Sequence, residues 1–225
     1  TGQLSEGQKA LVHLALWTDP QKRPEGNVIR VLGQAGEHKV EMEAIALERG
    51  FDAGFPPQVV AEAAEIKRHR TIDTEEIKNR RDFRGIPTFT IDPEDAKDFD
   101  DAISIQFQSG GDIEVGVHIA DVSHYVRPGS AIDTEAQRRG TSVYLPHETI
   151  PMLPEVLSND VCSLTPESDK LAYSVVFVLS KDAVVKDQWI GETIIHSQKR
   201  FSYEEAHNTL IAKEGPYARE LQTLD

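Results

Sequence analysis

The residues best suited to do chemistry lie in one short segment, IDPEDAKDFDDA, at positions 91–102. Six carboxylates and one lysine fall between positions 92 and 101. Like charges at this density repel one another and raise each other's pKa. Asp92 ends an apparent strand, and Asp100 and Asp101 begin the next one. Two predicted strands therefore fix the positions of these acids.

Four interpretations of the acidic segment compete. A solvated loop is the usual meaning of a charge run, but it does not need carboxylates at both strand ends. An EF-hand fails because its sixth position, which requires glycine, would be Ile103 or Lys97. A glycosidase-type acid and base pair needs only two carboxylates, usually from different elements. A magnesium site uses oxygen ligands, and two such ions can activate a water and stabilise a leaving oxygen.

The magnesium interpretation accounts for most of the acids. Asp92 at one strand end would share the ions with Asp98, Asp100 and Asp101 on the returning loop. The cations would relieve the repulsion among these carboxylates. Spacing alone favours this metal site for phosphate chemistry over the solvated loop, which stays open as the alternative.

Composition narrows the class of protein without deciding its function. The 225 residues carry a formal net charge of −14, which argues against a protein that coats nucleic acid through a basic surface. An acidic metal site can still act on phosphates, because the cation reverses the local sign. Cys162 is the only cysteine, which excludes a disulfide framework and a cysteine-type zinc site. We expect it to be a packed hydrophobe in a cytoplasmic protein with no membrane span and no signal peptide.

Residue patterns predict an α+β fold. The segments ALVHLALW and NVIRVLG alternate as strands do, and helical spacing follows in HKVEMEAIALERG, QVVAEAAEIKRHR and DTEEIKNRR. Gly50 is expected directly after the first of these helices, and Asp73 is expected to cap the third. Strands are predicted again at TFTI, AISIQF, IEVGVHIADVS, LAYSVVFVLS and DQWIGETIIHS, with a helix from Tyr203. Seven Lys and Arg residues at 67–84 favour a solvated helical face over a nucleic-acid contact. Both ends look like cuts, so we expect a piece of a longer protein.

Several longer motifs resemble a known family. FTIDPEDAKDFDDAISI, VGVHIADVSHYVRPGSAIDTEAQRRGTSVYLP, IPMLPEVLSNDVCSL and HSQKRFSYEEA are similar to the start of the catalytic RNB domain of the ribonuclease II and ribonuclease R family, with the closer match to ribonuclease R. The resemblance implies three parts. These are the end of a cold-shock (OB-type) β-barrel at 1–48, a helical connector at 49–81, and the first part of a mixed α+β RNB domain at 82–225.

The resemblance also implies roles for particular residues. The four family aspartates fall on Asp92, Asp98, Asp100 and Asp101, which would hold Mg²⁺, with Mn²⁺ as an alternative cation. Asp95 has no such role in the family pattern. Tyr144 matches an aromatic that stacks on the 3′-terminal base, although its sequence context alone favours a core tyrosine. Tyr203 matches a tyrosine linked to the preference for RNA over DNA. A structural role is favoured for His118. Arg138, Arg139 and Arg200 could contact phosphate, although exposed arginines usually need no such explanation.

The function implied by the family is hydrolysis of single-stranded RNA from its 3′ end. Members act processively with Mg²⁺ and release nucleoside 5′-monophosphates, and we expect the parent protein to be a monomer. An RNA-binding scaffold with an inactive RNB domain stays open, because the family's RNB domain extends well beyond the matched residues. A different metal-dependent phosphohydrolase is disfavoured, because no other phosphatase signature is found in the sequence.

Overall fold

A computed structural model describes residues 4–146 and 148–225 of the chain. The strands are β1 (Gln8–Leu14), β2 (Gly26–Gln34), β3 (Arg81–Asp82), β4 (Thr88–Asp92), β5 (Asp101–Phe107), β6 (Ile113–Ala120), β7 (Val143–Tyr144), β8 (Thr149–Ile150), β9 (Asp169–Leu179), β10 (Val185–His196) and β11 (Lys199–Ser202). The helices are α1 (His38–Glu48), α2 (Pro57–Arg68), α3 (Thr74–Asn79), α4 (Val122–Tyr125), α5 (Ala131–Arg139), a π-helix (Leu157–Val161), α6 (Tyr203–Ala212) and α7 (Ala218–Leu224). Within these ranges, none of the helices has the length and apolar character that crossing a bilayer requires.

The chain divides into two compact units, Thr1–Phe55 with Arg139–Met152 and Pro56–Arg138 with Leu153–Asp225. In the first unit, β1 and β2 form an antiparallel hairpin with two register shifts, and α1 follows. Gly50 follows the last residues of α1 with φ +86°, which fits its predicted place after the helix end. The described strands do not close a barrel, but the hairpin is consistent with a piece of an OB-type domain.

The second unit is built on a seven-stranded sheet in the order β11-β4-β5-β6-β9-β10-β3. The four central pairings, from β4 to β10, are antiparallel, while β11 pairs with β4 and β3 pairs with β10 in parallel. All five strands predicted for this part of the chain are present. The mixed α+β fold is therefore confirmed, and the parallel edge strands β3 and β11 are additions to the prediction.

The pairing of β11 with β4 is supported by a compact apolar cluster. Phe89 and Phe201, both buried, meet edge to face with ring centroids 5.6 Å apart. Ala206 from α6 and Leu221 from α7 complete this cluster. Truncating a buried phenylalanine to alanine typically costs about 3–5 kcal/mol. This packing therefore couples two segments that are far apart in the sequence.

The basic segment at 67–84 has a structural role. Asp73 caps α3 as predicted, since its carboxylate accepts a hydrogen bond from the Glu76 N–H at 2.7 Å. Each of the seven cations forms an ion pair with a carboxylate of the same unit. The cations are Lys67, Arg68, Arg70, Lys78, Arg80, Arg81 and Arg84. The positive charge of this segment is therefore largely balanced by carboxylates of the same unit.

His118 is a structural histidine, as the sequence favoured. It lies on β6, fully buried, with Nδ1 2.7 Å from the Ser174 hydroxyl and Nε2 2.8 Å from the Ser104 hydroxyl. The Ser174 hydroxyl also contacts that of Thr193 at 2.6 Å. Burial, together with the nearby charge of Arg81, lowers the pKa of His118 to about 4. The side chain is therefore neutral at pH 7 and links three strands of the sheet.

We expect this buried imidazole to make folding stability fall between pH 6.5 and pH 4. In this pH range the imidazole is protonated in the unfolded chain but neutral in the folded protein. The gap between the two pKa values corresponds to about 3 kcal/mol of unfolding free energy. Urea unfolding at pH 7 and pH 4.5 should show a smaller loss in His118→Gln than in the wild type. His69→Gln, which changes an exposed histidine directly after α2, should keep the wild-type loss. If His118→Gln loses as much stability between pH 7 and pH 4.5 as the wild type, His118 is not the cause of the loss.

Candidate active site

The four predicted aspartates lie at one edge of the seven-stranded sheet, where β4 ends and β5 begins, and we call this region the acidic edge. Asp92 ends β4 and is paired in register with Ser202, the last residue of the parallel strand β11. The ladder between β4 and β5 stops at Phe89 opposite Ile103, while β4 stays paired with β11 as far as Asp92. The chain then leaves the sheet until Asp101 begins β5. We call residues 93–100 the acidic loop. Since β5 runs antiparallel to β4, Asp92 and Asp101 are placed at the same edge.

The acidic loop is held by backbone hydrogen bonds on both sides. Pro93 O accepts from the Ala96 N–H at 3.1 Å, which forms a turn at the start of the loop. The guanidinium Nη2 of Arg200 donates to Pro93 O at 2.5 Å and to Glu94 O at 2.7 Å. At the other end, Asp100 O accepts from the Ala120 N–H at 2.9 Å. Arg200, for which the sequence left phosphate contact open, therefore shapes this loop.

Asp92 is the most buried of the four aspartates, with 8% of its surface exposed. Its Oδ2 atom is buried and has no hydrogen-bond partner. Burial raises the pKa of Asp92, the charges of Asp101 and Asp98 raise it further, and Thr90 and Arg200 oppose part of the rise. A buried carboxylate oxygen without a partner is costly, so this position favours a ligand that donates to it or a cation.

Asp100 shares this electrostatic strain. Its side chain keeps contact with solvent, but the protein packed around it removes part of its hydration. This partial burial raises the pKa of Asp100, and the charges of Asp98, Asp101 and Asp92 raise it further. The four predicted aspartates are therefore near enough to repel one another.

The aspartates do not form a ready-made ligand cage. Among residues 4–146 and 148–225, no three His, Cys, Asp or Glu side chains converge as they would around one ion. Glu94 and Asp95 are exposed on the loop, in line with the prediction that Asp95 has no role at the site. The structure thus brings Asp92, Asp98, Asp100 and Asp101 to one edge, and their role as ligands stays a prediction.

Two further residues belong to this edge. In the described residues, four buried side-chain polar atoms lack a hydrogen-bond partner, and three of them belong to Thr90, Asp92 and Arg200. Thr90 precedes Asp92 by two residues on β4, and Arg200 on β11 is the register partner of Thr90. All three side chains therefore lie on one face of the sheet. The period of two along β4 is the signal that could have identified Thr90 from the sequence.

The remaining predicted residues lie in different settings. Tyr144 is on β7 in the first unit and is 68% exposed, so it is not a core tyrosine. Tyr203 begins α6 directly after Ser202 and is 61% exposed. Arg138 pairs with Glu135 in α5. Arg139 donates to Gly54 O and Pro151 O, and its guanidinium lies 3.9 Å from the centre of the Phe55 ring.

The residues present fit a hard divalent cation. Carboxylate oxygens are the ligands that Mg²⁺ prefers, and Mg²⁺ usually takes one or two of them while keeping several waters. The partnerless Oδ2 of Asp92 and the mutual repulsion at Asp100 are features that a cation would relieve. A full protein cage is not required for such a site, which agrees with the absence of a convergent triad in the described residues.

Comparison with family models gives two matches. The RNB domain model matches residues 80–225, and a cold shock domain model matches residues 1–56. The first range contains the whole acidic edge. The second covers the β1–β2 hairpin and α1, for which the sequence had predicted a cold-shock origin.

The chain is also similar to curated proteins and a solved structure. It is 42% identical to DIS3-like exonuclease 2 of Xenopus tropicalis over 88% of this chain, and 40% identical to ribonuclease R of Thermotoga maritima over 90%. A protein of Arabidopsis thaliana called inactive exonuclease DIS3L2 is 37% identical over 92% of the chain. Mycoplasma genitalium RNase R, solved with ribose-methylated single-stranded RNA, matches 98% of the chain with 29% identity and a TM-score of 0.83.

These relatives are much longer proteins. The chain spans 24% of the Xenopus protein, 29% of the Thermotoga protein, 20% of the Arabidopsis protein and 34% of the solved Mycoplasma chain. The RNB match nevertheless covers more than half of this chain and includes the sheet that carries the acidic edge. The chain belongs to the RNB family.

Proposed function

We propose that this chain is part of an Mg²⁺-dependent 3′-to-5′ exoribonuclease that degrades single-stranded RNA processively to nucleoside 5′-monophosphates. The proposed domain division is 1–48, 49–81 and 82–225, as the sequence predicts. The proposed protein acts as a monomer in the cytoplasm, and Mn²⁺ is an alternative cation. Similarity to ribonuclease R and to an exonuclease supports the class of reaction.

The observation that carries this proposal is the partnerless, buried Oδ2 of Asp92 beside three further aspartates. A structural aspartate at a strand end would be paired with a donor or an arginine, as Asp121 is paired with Arg80 in the same unit. Burial is the main cause of the raised pKa of Asp92, and the charges of Asp101 and Asp98 add to it. Thr90 and Arg200 offset only part of the rise. Such an arrangement is costly for folding and is typical of a functional site.

Each residue of the acidic edge has a distinct proposed task. Asp92 and Asp101 would hold the cation from two strand ends, and Asp98 and Asp100 would complete the site from the acidic loop. Bound there, Mg²⁺ would supply positive charge to the scissile phosphodiester and act as a Lewis acid. Arg200 keeps the loop in place through Pro93 O and Glu94 O.

The tyrosines are proposed to bind the RNA chain. Tyr144 exposes most of its ring, which suits stacking on a terminal base because every base presents a π-face. Tyr203 follows Ser202, the partner of Asp92 across β4 and β11, so its backbone lies at the acidic edge. Its exposed hydroxyl is proposed to recognise the 2′-OH of the substrate.

A second candidate function is RNA binding without catalysis. The similarity to a protein named inactive exonuclease favours it, as does the lack of three converging ligands in the described part of the chain. Against it stands the strain at Asp92 and Asp100, which an inactive protein would have no reason to keep.

The test is incubation of the longest natural protein that carries this chain with 5′-labelled single-stranded RNA. We expect a ladder that shortens from the 3′ end with Mg²⁺ and stops with a chelator. Thin-layer chromatography of 3′-labelled RNA should show nucleoside 5′-monophosphates. Binding without shortening would support the scaffold, and phosphate release from small monoesters would indicate a different phosphohydrolase.

A further inference from the structure

Ser163 is a fully buried serine whose hydroxyl bridges the backbone on both sides of Asp98. The hydroxyl donates to Lys97 O at 3.0 Å and accepts from the Phe99 N–H at 2.9 Å. No part of Ser163 reaches solvent. The two peptide groups that flank Asp98 are therefore tied to a single oxygen atom.

The next residue strengthens this connection. The Leu164 N–H donates to Phe99 O at 2.8 Å, so both backbone groups of Phe99 are bonded to the segment 163–164. The ring of Phe99 is buried, and Leu164 is fully buried. The acidic loop thus has two independent supports, which are Arg200 at its start and the segment 163–164 near its end.

A π-helix brings Ser163 to this position. Cys162 N donates to Leu157 O at 2.9 Å, which closes the wide turn of the π-helix just before Ser163. Single π turns occur often near functional sites. The Nζ of Lys170 donates to Asp160 O at 2.5 Å and to Val161 O at 3.4 Å, which satisfies carbonyls in this turn.

The side chain of Asp160, in the same π-helix, is also held in place. The Asp160 carboxylate pairs with Arg70 at 2.7 Å and with Lys67 at 3.0 Å, both from the connector. Part of the basic segment at 67–84 therefore holds the element that places Ser163. This turn belongs to the motif IPMLPEVLSNDVCSL, for which the proposed catalytic roles give no task.

We propose that Ser163 is a positioning residue that holds Asp98 and the acidic loop in the geometry needed for cation binding. The inference rests on the proposed function, because it takes the acidic edge to be the metal site. Ser163 does not touch the cation or the RNA. Its effect is to fix the backbone that carries Asp98, as residues behind metal ligands commonly do.

The chemistry of this position requires a hydroxyl. Only a group that donates and accepts at once can serve both Lys97 O and Phe99 N. Alanine would leave a buried carbonyl and a buried N–H without partners. Cysteine keeps a similar volume but is a weak donor and a weak acceptor. Cation affinity should therefore decrease in the order serine, cysteine, alanine.

The experiment measures Mn²⁺ binding to the longest natural protein that carries this chain by isothermal titration calorimetry. We expect Ser163→Ala to bind Mn²⁺ about 10–100-fold more weakly than the wild type, with Ser163→Cys between them. Hydrogen exchange of the Phe99 amide, followed by NMR without metal, should become faster in both variants. Ser163→Cys keeps the test valid if the alanine variant does not fold.

Ser174→Ala is the matched control. Ser174 on β9 is also fully buried, and its hydroxyl forms two side-chain hydrogen bonds, but its partners are His118 on β6 and Thr193 on β10. Ser174→Ala should lower the melting temperature and change the Mn²⁺ affinity less than twofold. Wild-type affinity in the Ser163 variants, or an equal loss in Ser174→Ala, would overturn the inference. If the wild type binds no Mn²⁺, the proposed metal site itself fails, and unchanged Phe99 exchange in Ser163→Ala would also exclude an ordering role.

Discussion

Asp100→Asn is expected to reduce RNA degradation by at least about 100-fold while it raises the melting temperature of the metal-free protein. Removing a ligand charge costs several kcal/mol of transition-state stabilisation, and each 1.4 kcal/mol is tenfold in rate. The stabilisation follows from the raised pKa of Asp100, caused by partial burial and by Asp98, Asp101 and Asp92. A raised carboxyl pKa means that the folded protein loses stability as pH rises past the ordinary value of 3.8. Asparagine removes that loss at pH 7.

Asp95→Asn is the matched control for this prediction. Asp95 lies on the same loop, is exposed, and has no predicted role. Its replacement should leave both the degradation rate and the melting temperature close to wild type. Labelled-RNA assays and differential scanning calorimetry, done with and without Mg²⁺, measure the two effects. If Asp100→Asn lowers the melting temperature, Asp100 stabilises the fold and is not a strained residue kept for cation binding.

Arg80→Met is expected to lower the free energy of unfolding by about 3–5 kcal/mol. The Arg80 side chain is 1% exposed, and its Nη2 lies 2.7 Å from the buried Asp121 carboxylate. Its Nε also pairs with Glu76, and its Nη1 donates to Ala172 O and Thr193 O. Breaking a buried pair on one side leaves an uncompensated charge, which accounts for the size of the loss. Urea unfolding at pH 7 measures it.

Two further variants separate the charge effect from general damage. Arg80→Met combined with Asp121→Leu should recover part of the loss, because no buried charge is left unpaired. Lys78→Met, which breaks the exposed pair with Glu75, should cause no measurable loss. If the double variant is no more stable than Arg80→Met alone, the buried charge is not the cause. The hydrogen bonds to the two carbonyls would then dominate.

Much of the fold was predictable because its signals are local. Alternation identified the central strands of the sheet, and Asp73 and Gly50 marked helix ends through their own chemistry. The acidic edge was visible because its members are close in sequence and share one residue type. The resemblance to the RNB family was also confirmed, since it depended on long motifs in register.

What was missed depends on distant partners. Strand β11 has only four residues, Lys199–Ser202, and no alternation long enough to indicate a strand. Its partner β4 lies more than a hundred residues earlier, and no local pattern encodes that contact. Ser163 resembles any other serine until Lys97 and Phe99 are placed beside it. The basic segment was ambiguous for the same reason, because carboxylates such as Glu114 and Asp160 that pair with it lie elsewhere in the chain.

The parallel contact between β4 and β11 has a consequence for how the protein matures. Arg200 and Pro93 are 107 residues apart in the chain, yet their hydrogen bond shapes the acidic loop. Closing so large a loop costs entropy that only late, long-range contacts repay. During translation, the chain as far as Ser202 must have emerged from the ribosome before the acidic edge can assemble. The acidic edge therefore cannot form on a nascent chain until this part of synthesis is complete.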